Sequence, residues 1–125
     1  MRLSKLICGA CLLLAIASAR SESLVEHARQ VAGAKTNPLA GQERAQRAGA
    51  KLFARECASC HGENGAGGLG KAPPLRQKEV YDAPPGALFW ILRNGSLRRG
   101  MPSFAHLPEA QRWQIITWLQ TRRPT

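Results

Sequence analysis

Cys57-Ala58-Ser59-Cys60-His61 is the stretch on which the reading of this chain turns. Two cysteines three positions apart, with a histidine directly after the second, form the C-x-x-C-H pattern of covalent haem attachment. The spacing has a physical reason. On a short helical turn both thiols reach the two vinyl-derived carbons along one edge of a porphyrin, and the next residue presents its imidazole to the iron. A zinc site would need four ligands, and Cys57, Cys60, His61 and one distant histidine make an unusual set. A thiol–disulfide pair belongs in a βαβ pattern, which the flanking residues do not show. Cys57, Cys60 and His61 are therefore the candidate attachment residues, with His61 as an iron ligand.

Upstream of this motif, Ala45, Ala48, Gly49, Leu52 and Phe53 recur at helical spacing, so residues 42–60 read as a helix leading into it. Gly49 in a helix interior costs about 1 kcal/mol relative to alanine. Close approach of a second helix would offset that, and simple tolerance is the other reading. Further upstream, Leu24, Val25, Ala28, Val31 and Ala32 predict a short amphipathic helix, broken by Asn37-Pro38. His27 in that segment reads as a solvated surface residue.

Downstream, Gly62, Gly65, Gly67, Gly68 and Gly70 form a glycine-rich loop. Its matches to the dinucleotide and P-loop patterns fail on context, because Pro73-Pro74 follows where a helix would be needed and Ala72 stands where magnesium needs a hydroxyl. The segment Pro73-Pro74-Leu75 lacks N–H donors at both prolines but keeps its carbonyls. One of these could accept the Nδ1 proton of a ligating histidine; a rigid turn is the alternative. Leu88, Phe89, Ile91 and Leu92 predict a short apolar helix ended by Asn94-Gly95. For Trp90 and Arg93 two readings stand: an indole and a guanidinium beside haem propionates, or ordinary core and surface roles. Met101 lies between Gly100 and Pro102, outside any periodic segment, where a thioether is better explained as the sixth iron ligand than as core filler. His106 is its rival. Pro108-Glu109 opens a last helix, with proline expected at its first position and Trp113, Ile116 and Leu119 on its buried side.

The first residues read as an export signal. Arg2 and Lys5 precede an apolar run from Leu6 to Ile16, and Ala17-Ser18-Ala19 supplies the cleavage site. The run is shorter than the roughly 20 residues a membrane span requires. Cleavage removes Cys8 and Cys11 and leaves Cys57 and Cys60, too few for a disulfide scaffold. Met101 is then the sole methionine. The organisation expected is 1–19 signal peptide, 20–41 extension or linker, and 42–125 as one domain. The chain has 18 basic and 8 acidic side chains, a formal +10 that falls to about +8 without Arg2 and Lys5. Such a surface suits acidic proteins or anionic membranes, and no nucleic-acid reader motif accompanies it.

From about Gln42 to Arg123 the chain resembles class I cytochromes c. The resemblance is carried by Gly49 and Phe53 ahead of Cys57-x-x-Cys60-His61, by Pro73-Pro74-Leu75, by Gly100-Met101-Pro102 and by the aromatic C-terminal helix. It implies an all-α fold, several short helices wrapped around one covalently bound haem, with the first and last helices crossing at Gly49 and Phe53 against Trp118. It further implies Cys57 and Cys60 as thioether bonds, His61 and Met101 as iron ligands, Pro73 as the carbonyl partner of His61, and Leu75 as pocket lining. The stretch Pro84-Pro85-Gly86, Trp90, Asn94-Gly95 and Gly100-Met101-Pro102-Ser103-Phe104 is also similar to small monohaem cytochromes that accompany bacterial quinoprotein dehydrogenases.

The function implied is a periplasmic one-electron carrier with a c-type haem, not an enzyme, exchanging electrons with redox proteins that have acidic docking surfaces, a quinoprotein dehydrogenase among them. No transmembrane anchor is expected. A haem protein that binds ligands or turns over peroxide is the alternative, and it would need an open sixth site with Met101 unbound.

Overall fold

Helix α2 (Glu43–Glu56) and helix α6 (Glu109–Leu119) cross at Gly49, and the rest of the chain is arranged around that crossing. The computed structural model describes residues 22–67, 70 and 72–122. The signal-peptide reading with Cys8 and Cys11, and the residues Lys71 and Arg123, lie outside them. Between these helices come α3 (Ala58–His61), α4 (Lys78–Tyr81) and α5 (Pro85–Asn94), and α1 (Leu24–Ala32) precedes them. Two 3-10 turns, Glu63–Gly65 and Leu97–Arg99, complete the regular structure. Among the described residues there is no strand beyond one isolated bridge, Ser96 with Met101. The fold is all-α, as the sequence implied.

The crossing shows why position 49 is glycine. A Cβ there would stand 1.9 Å from the Gln114 carbonyl oxygen and 2.9 Å from the Trp118 Cβ, so only a hydrogen lets the helices meet. One turn on, the rings of Phe53 and Trp118 pack at 4.6 Å between centroids. Such pairs add about 0.5–1.5 kcal/mol to the area they bury. Leu52, Phe53, Ile115, Ile116 and Leu119 continue inward into the main core.

Helix α6 is buried almost all round, more than its spacing suggested. Arg112 and Thr117 are buried with the expected Trp113, Ile116 and Leu119. The cause is tertiary: α2 covers one face, and α5 covers another through Phe89, stacked on Trp113 at 4.1 Å. The Asn37 side-chain amide reaches a third, donating to the Thr117 hydroxyl at 2.8 Å. The helix also begins one residue later than expected. Pro108 is the cap (φ −52°, ψ 146°), and Glu109 is the first helical residue. Leu107, buried just ahead, anchors this entry.

In the segment read as an extension, 20–41, helix α1 packs on α5. Ser23 caps α1 by accepting the Glu26 N–H at 3.1 Å, and Ala28 is fully buried against Ala87 and Ile91. At Gly86 a Cβ would stand 2.1 Å from the Ala32 carbonyl oxygen, so the α1 C-terminus sits directly on α5. Val31, expected on the apolar face, is instead exposed: the stripe that meets α5 runs through Leu24, Val25 and Ala28.

Gly49→Ala is expected to destabilise the fold by about 1–3 kcal/mol, the range for forcing extra volume into a packed contact. A denaturant midpoint unchanged from the parent would refute the close-approach account.

Candidate haem site

The C-x-x-C-H residues fold as one tight turn. Cys57 ends α2, its N–H donating to the Phe53 carbonyl, and its own carbonyl accepts from the N–H groups of Cys60 (3.2 Å) and His61 (3.0 Å). α3 is thus a single helical turn that starts where α2 stops. Cys57 is buried in the main core and Cys60 is exposed.

His61 Nδ1 lies 3.0 Å from the Pro73 carbonyl oxygen. A carbonyl only accepts, so the proton in this contact is on Nδ1, and Nε2 is the ring nitrogen left to offer a lone pair. That is the tautomer a metal-ligating histidine uses, with the ring's orientation held by a backbone group. The partner is presented by a folded-back loop. Gly67 N–H donates to the His61 carbonyl at 2.7 Å, and Leu75 N–H to the Gly65 carbonyl at 2.8 Å. Leu75 itself is half-buried against the core.

Met101 belongs to a second group. At the end of α5 the chain turns at Gly95 (φ +65°), where a Cβ would stand 2.6 Å from the Pro102 carbonyl carbon and oxygen. Ser96 and Met101 then exchange both backbone hydrogen bonds, at 2.8 and 3.0 Å, around the 3-10 turn Leu97–Arg99. The loop is tied to α5 at two more points. Phe104 N–H donates to the Leu92 carbonyl at 2.7 Å, and the Ser103 hydroxyl donates to the Arg93 carbonyl at 2.5 Å. The Met101 side chain, half-buried, packs with Trp90 against Ala28, Ala87 and Ile91. Trp90 also meets the His27 ring edge-on at 5.4 Å. Arg93 is exposed, and it enters this group through its carbonyl. His106 is exposed, its ring 5.9 Å from Phe104. Among the described residues no hydrogen bond or ring contact joins the His61–Pro73–Leu75 group to the Met101–Trp90–Arg93 group.

Sequence reasoning passed over Ser96 and Ser103, whose bonds shape the methionine loop. The signal for Ser103 was its hydroxyl two residues before Ala105, whose N–H it accepts at 3.1 Å.

Burial pushes the Cys57 thiol from an ordinary 9.0 up to about 12, with the Glu56 carboxylate and Cys60 adding to the shift. A thiol-exchange site needs the opposite, a thiol lowered toward neutrality. Among the described residues, no three His, Cys, Asp or Glu side chains gather as a metal cluster, which leaves the zinc alternative without a ligand set. The turn instead fits a haem: two thiols on one helical turn, and an imidazole whose Nε2 lone pair is free.

A family profile described as Cytochrome C oxidase, cbb3-type, subunit III matches residues 44–119. The chain belongs to this family of c-type cytochromes. This cytochrome carries one covalently bound haem c, with Cys57 and Cys60 at the spacing of the attachment motif, and its function is electron transport. Solved structures share the fold. Cytochrome cL from the marine methylotrophic bacterium Methylophaga aminisulfidivorans is 22% identical, with a TM-score of 0.59 over 86% of this chain and 71% of its own. The c-type cytochrome XoxG from Methylobacterium extorquens AM1 is 23% identical, with a TM-score of 0.54 over 62% of this chain and 50% of its own. Cytochrome cL from Hyphomicrobium denitrificans is 20% identical, with a TM-score of 0.57 over 82% and 60%. The chain thus spans between half and about seven tenths of these neighbours. No curated protein sequence matches it.

The buried neutral thiol gives a pH prediction for the haem-free chain. Its contribution to stability is full below pH 9.0 and is lost as pH rises toward about 12, because ionisation is easier in the unfolded chain. Alkylation followed by peptide mass should find Cys60 labelled well before Cys57 at pH 8; equal rates would contradict the burial.

Proposed function

We propose that this cytochrome is a one-electron carrier of the periplasm, with His61 and Met101 as iron ligands and a dehydrogenase, of the quinoprotein class, as electron donor. The observation that carries the ligand reading is the 3.0 Å approach of His61 Nδ1 to the Pro73 carbonyl, which leaves Nε2 as a donor of fixed orientation. Met101 is supported by its loop, pinned to the end of α5 by the exchange with Ser96. The signal-peptide reading of residues 1–19 supports export, with cleavage after Ala19. Among the described residues no helix is long and apolar enough to cross a membrane. The dehydrogenase partner rests on the local likeness of residues 84–104 to cytochromes that accompany quinoprotein enzymes, and on a fold shared with cytochromes cL.

When bound, the haem supplies an iron that takes up and gives back one electron. The chain's own contribution is to hold the ligands still. The Pro73 carbonyl fixes the tautomer and tilt of His61. Ser96, Gly95 and Ser103 fix the Met101 backbone in one conformation, so the thioether needs little rearrangement when the charge changes. Leu75, Leu92 and Phe104, half-buried against the core, would keep water from the ligands, and a dry surround raises the potential by disfavouring the extra charge.

Oxidised and reduced absorption spectra of the exported protein test this. The expected result is sharp low-spin bands on reduction and a weak near-infrared iron–sulfur band when oxidised. Met101→Ala should abolish that band and lower the potential; the band surviving would refute the distal assignment. A high-spin parent spectrum would favour ligand-binding or peroxide chemistry instead. Gly95→Ala should weaken the same band with Met101 still present, because its Cβ displaces the Pro102 carbonyl.

A further inference from the structure

The most exposed large apolar side chain among the described residues is Leu97, at 83%, compared with 56% for Val31. A lone exposed leucine is ordinary. Leu97 is set apart by its support and its surroundings. It opens the 3-10 turn that joins Ser96 to Met101, so two backbone hydrogen bonds and the left-handed Gly100 (φ +79°) hold it at the tip of the methionine loop. Arg98 and Arg99 follow it, both exposed. Neither is in an ion pair with a described carboxylate, and among the described residues Arg99 Nη1 donates to the Ser96 hydroxyl at 3.3 Å. From Ala83 to Pro108 the chain has three arginines and no acidic side chain. An apolar point beside uncompensated charge, on a rigid support, has the anatomy of a small interface: an anchor at the centre and a polar rim.

We infer that the Leu97–Arg98–Arg99 tip is the electron-exchange contact of this cytochrome, and that it fits an apolar recess rimmed with carboxylates on a redox protein. The inference rests on the carrier reading above and assigns that reading's docking surface. Charge complementarity selects the partner, since two guanidinium groups without local carboxylates attract acidic surfaces and speed encounter. Leu97 would then supply the short-range contact that holds the docked pair. A membrane is a poorer fit, because one leucine on a 3-10 turn offers no amphipathic face to lie in a lipid interface.

The test uses the reduced holoprotein and the blue-copper protein plastocyanin, an acidic one-electron acceptor, in stopped flow at low and high ionic strength. One electron passes from the cytochrome to the cupric site, leaving oxidised cytochrome and cuprous copper, with no proton transferred. Leu97→Ser should slow this reaction about fivefold at all ionic strengths. Arg98→Glu with Arg99→Glu should slow it about tenfold at low salt, the effect fading as salt rises. Hexacyanoferrate(III), a small anion, should respond to the charge reversal and not to Leu97→Ser. Each variant must keep the parent's low-spin spectrum and potential. Plastocyanin rates unmoved in both variants would overturn the inference. So would rates unmoved alongside weakened binding to vesicles containing anionic phospholipid, which would assign the tip to a membrane. If the parent itself lacks the low-spin spectrum, the carrier reading fails first, and that failure shows before any docking rate is measured.

Discussion

Gly49 and the Gln114 carbonyl approach so closely that no side chain could stand between them, and the site depends on that contact. A helix crossing this tight brings Phe53 and Trp118 into ring contact and commits the whole inner face of α2 to the core. Cys57 is the residue on which α2 ends, and its carbonyl starts the next turn. The residues of the C-x-x-C-H turn are therefore a rigid continuation of the crossing helix rather than a loop grafted onto it. That rigidity suits a centre whose ligands should move little when its charge changes.

Helix α5 does the corresponding work for the methionine loop. Its inner side meets α6 through the Phe89–Trp113 stack, and another side carries α1. Gly95, Ser96 and Ser103 then return the chain along its C-terminal end. Phe89 also has two cations at its ring, Lys35 at 4.3 Å and Arg112 at 4.5 Å. Lys35 is held by Glu109 at 3.6 Å, but Arg112 is buried, and its Nε and Nη1 find no acceptor among the described residues. An unpaired buried charge is costly. The aromatic face offsets part of that cost, since cation–π attraction reaches about 2 kcal/mol when desolvated, and a guanidinium gives up water more readily than an ammonium.

The charge of the chain is unevenly matched. Its acidic side chains are largely engaged by nearby bases, as in Arg47 with Glu43 and Arg55 with Glu56, while the arginines of the methionine loop are left to solvent. Exposed pairs of this kind contribute at most about 1 kcal/mol each, so they do little for stability. Their consequence is electrostatic: with its acids answered locally, the chain's net positive charge is expressed where partners are not built in.

Much of this was legible in the chain itself. Helical periodicity marked α2, α5 and α6, the glycine at 49 hinted at a crossing, and the C-x-x-C-H turn named its chemistry, because each of those signals depends on residues adjacent or one turn apart. Other features were not. The approach of Pro73 to His61 spans twelve positions and competed with a plain turn until the loop between them was seen folded back. The burial of Arg112 and the exposure of Val31 reverse what residue type and spacing suggest, since what covers a helix face is decided by its neighbours. The packing of α1 on α5 is of the same kind: Gly86 and Ala28 are unremarkable as residues, and only their meeting shows that residues 24–32 belong to the fold. By itself the sequence determined which groups can bind a haem, for that is local chemistry. The tertiary structure decided which of them are held, buried or left exposed, because contact across long stretches of chain is set by packing and not by pattern.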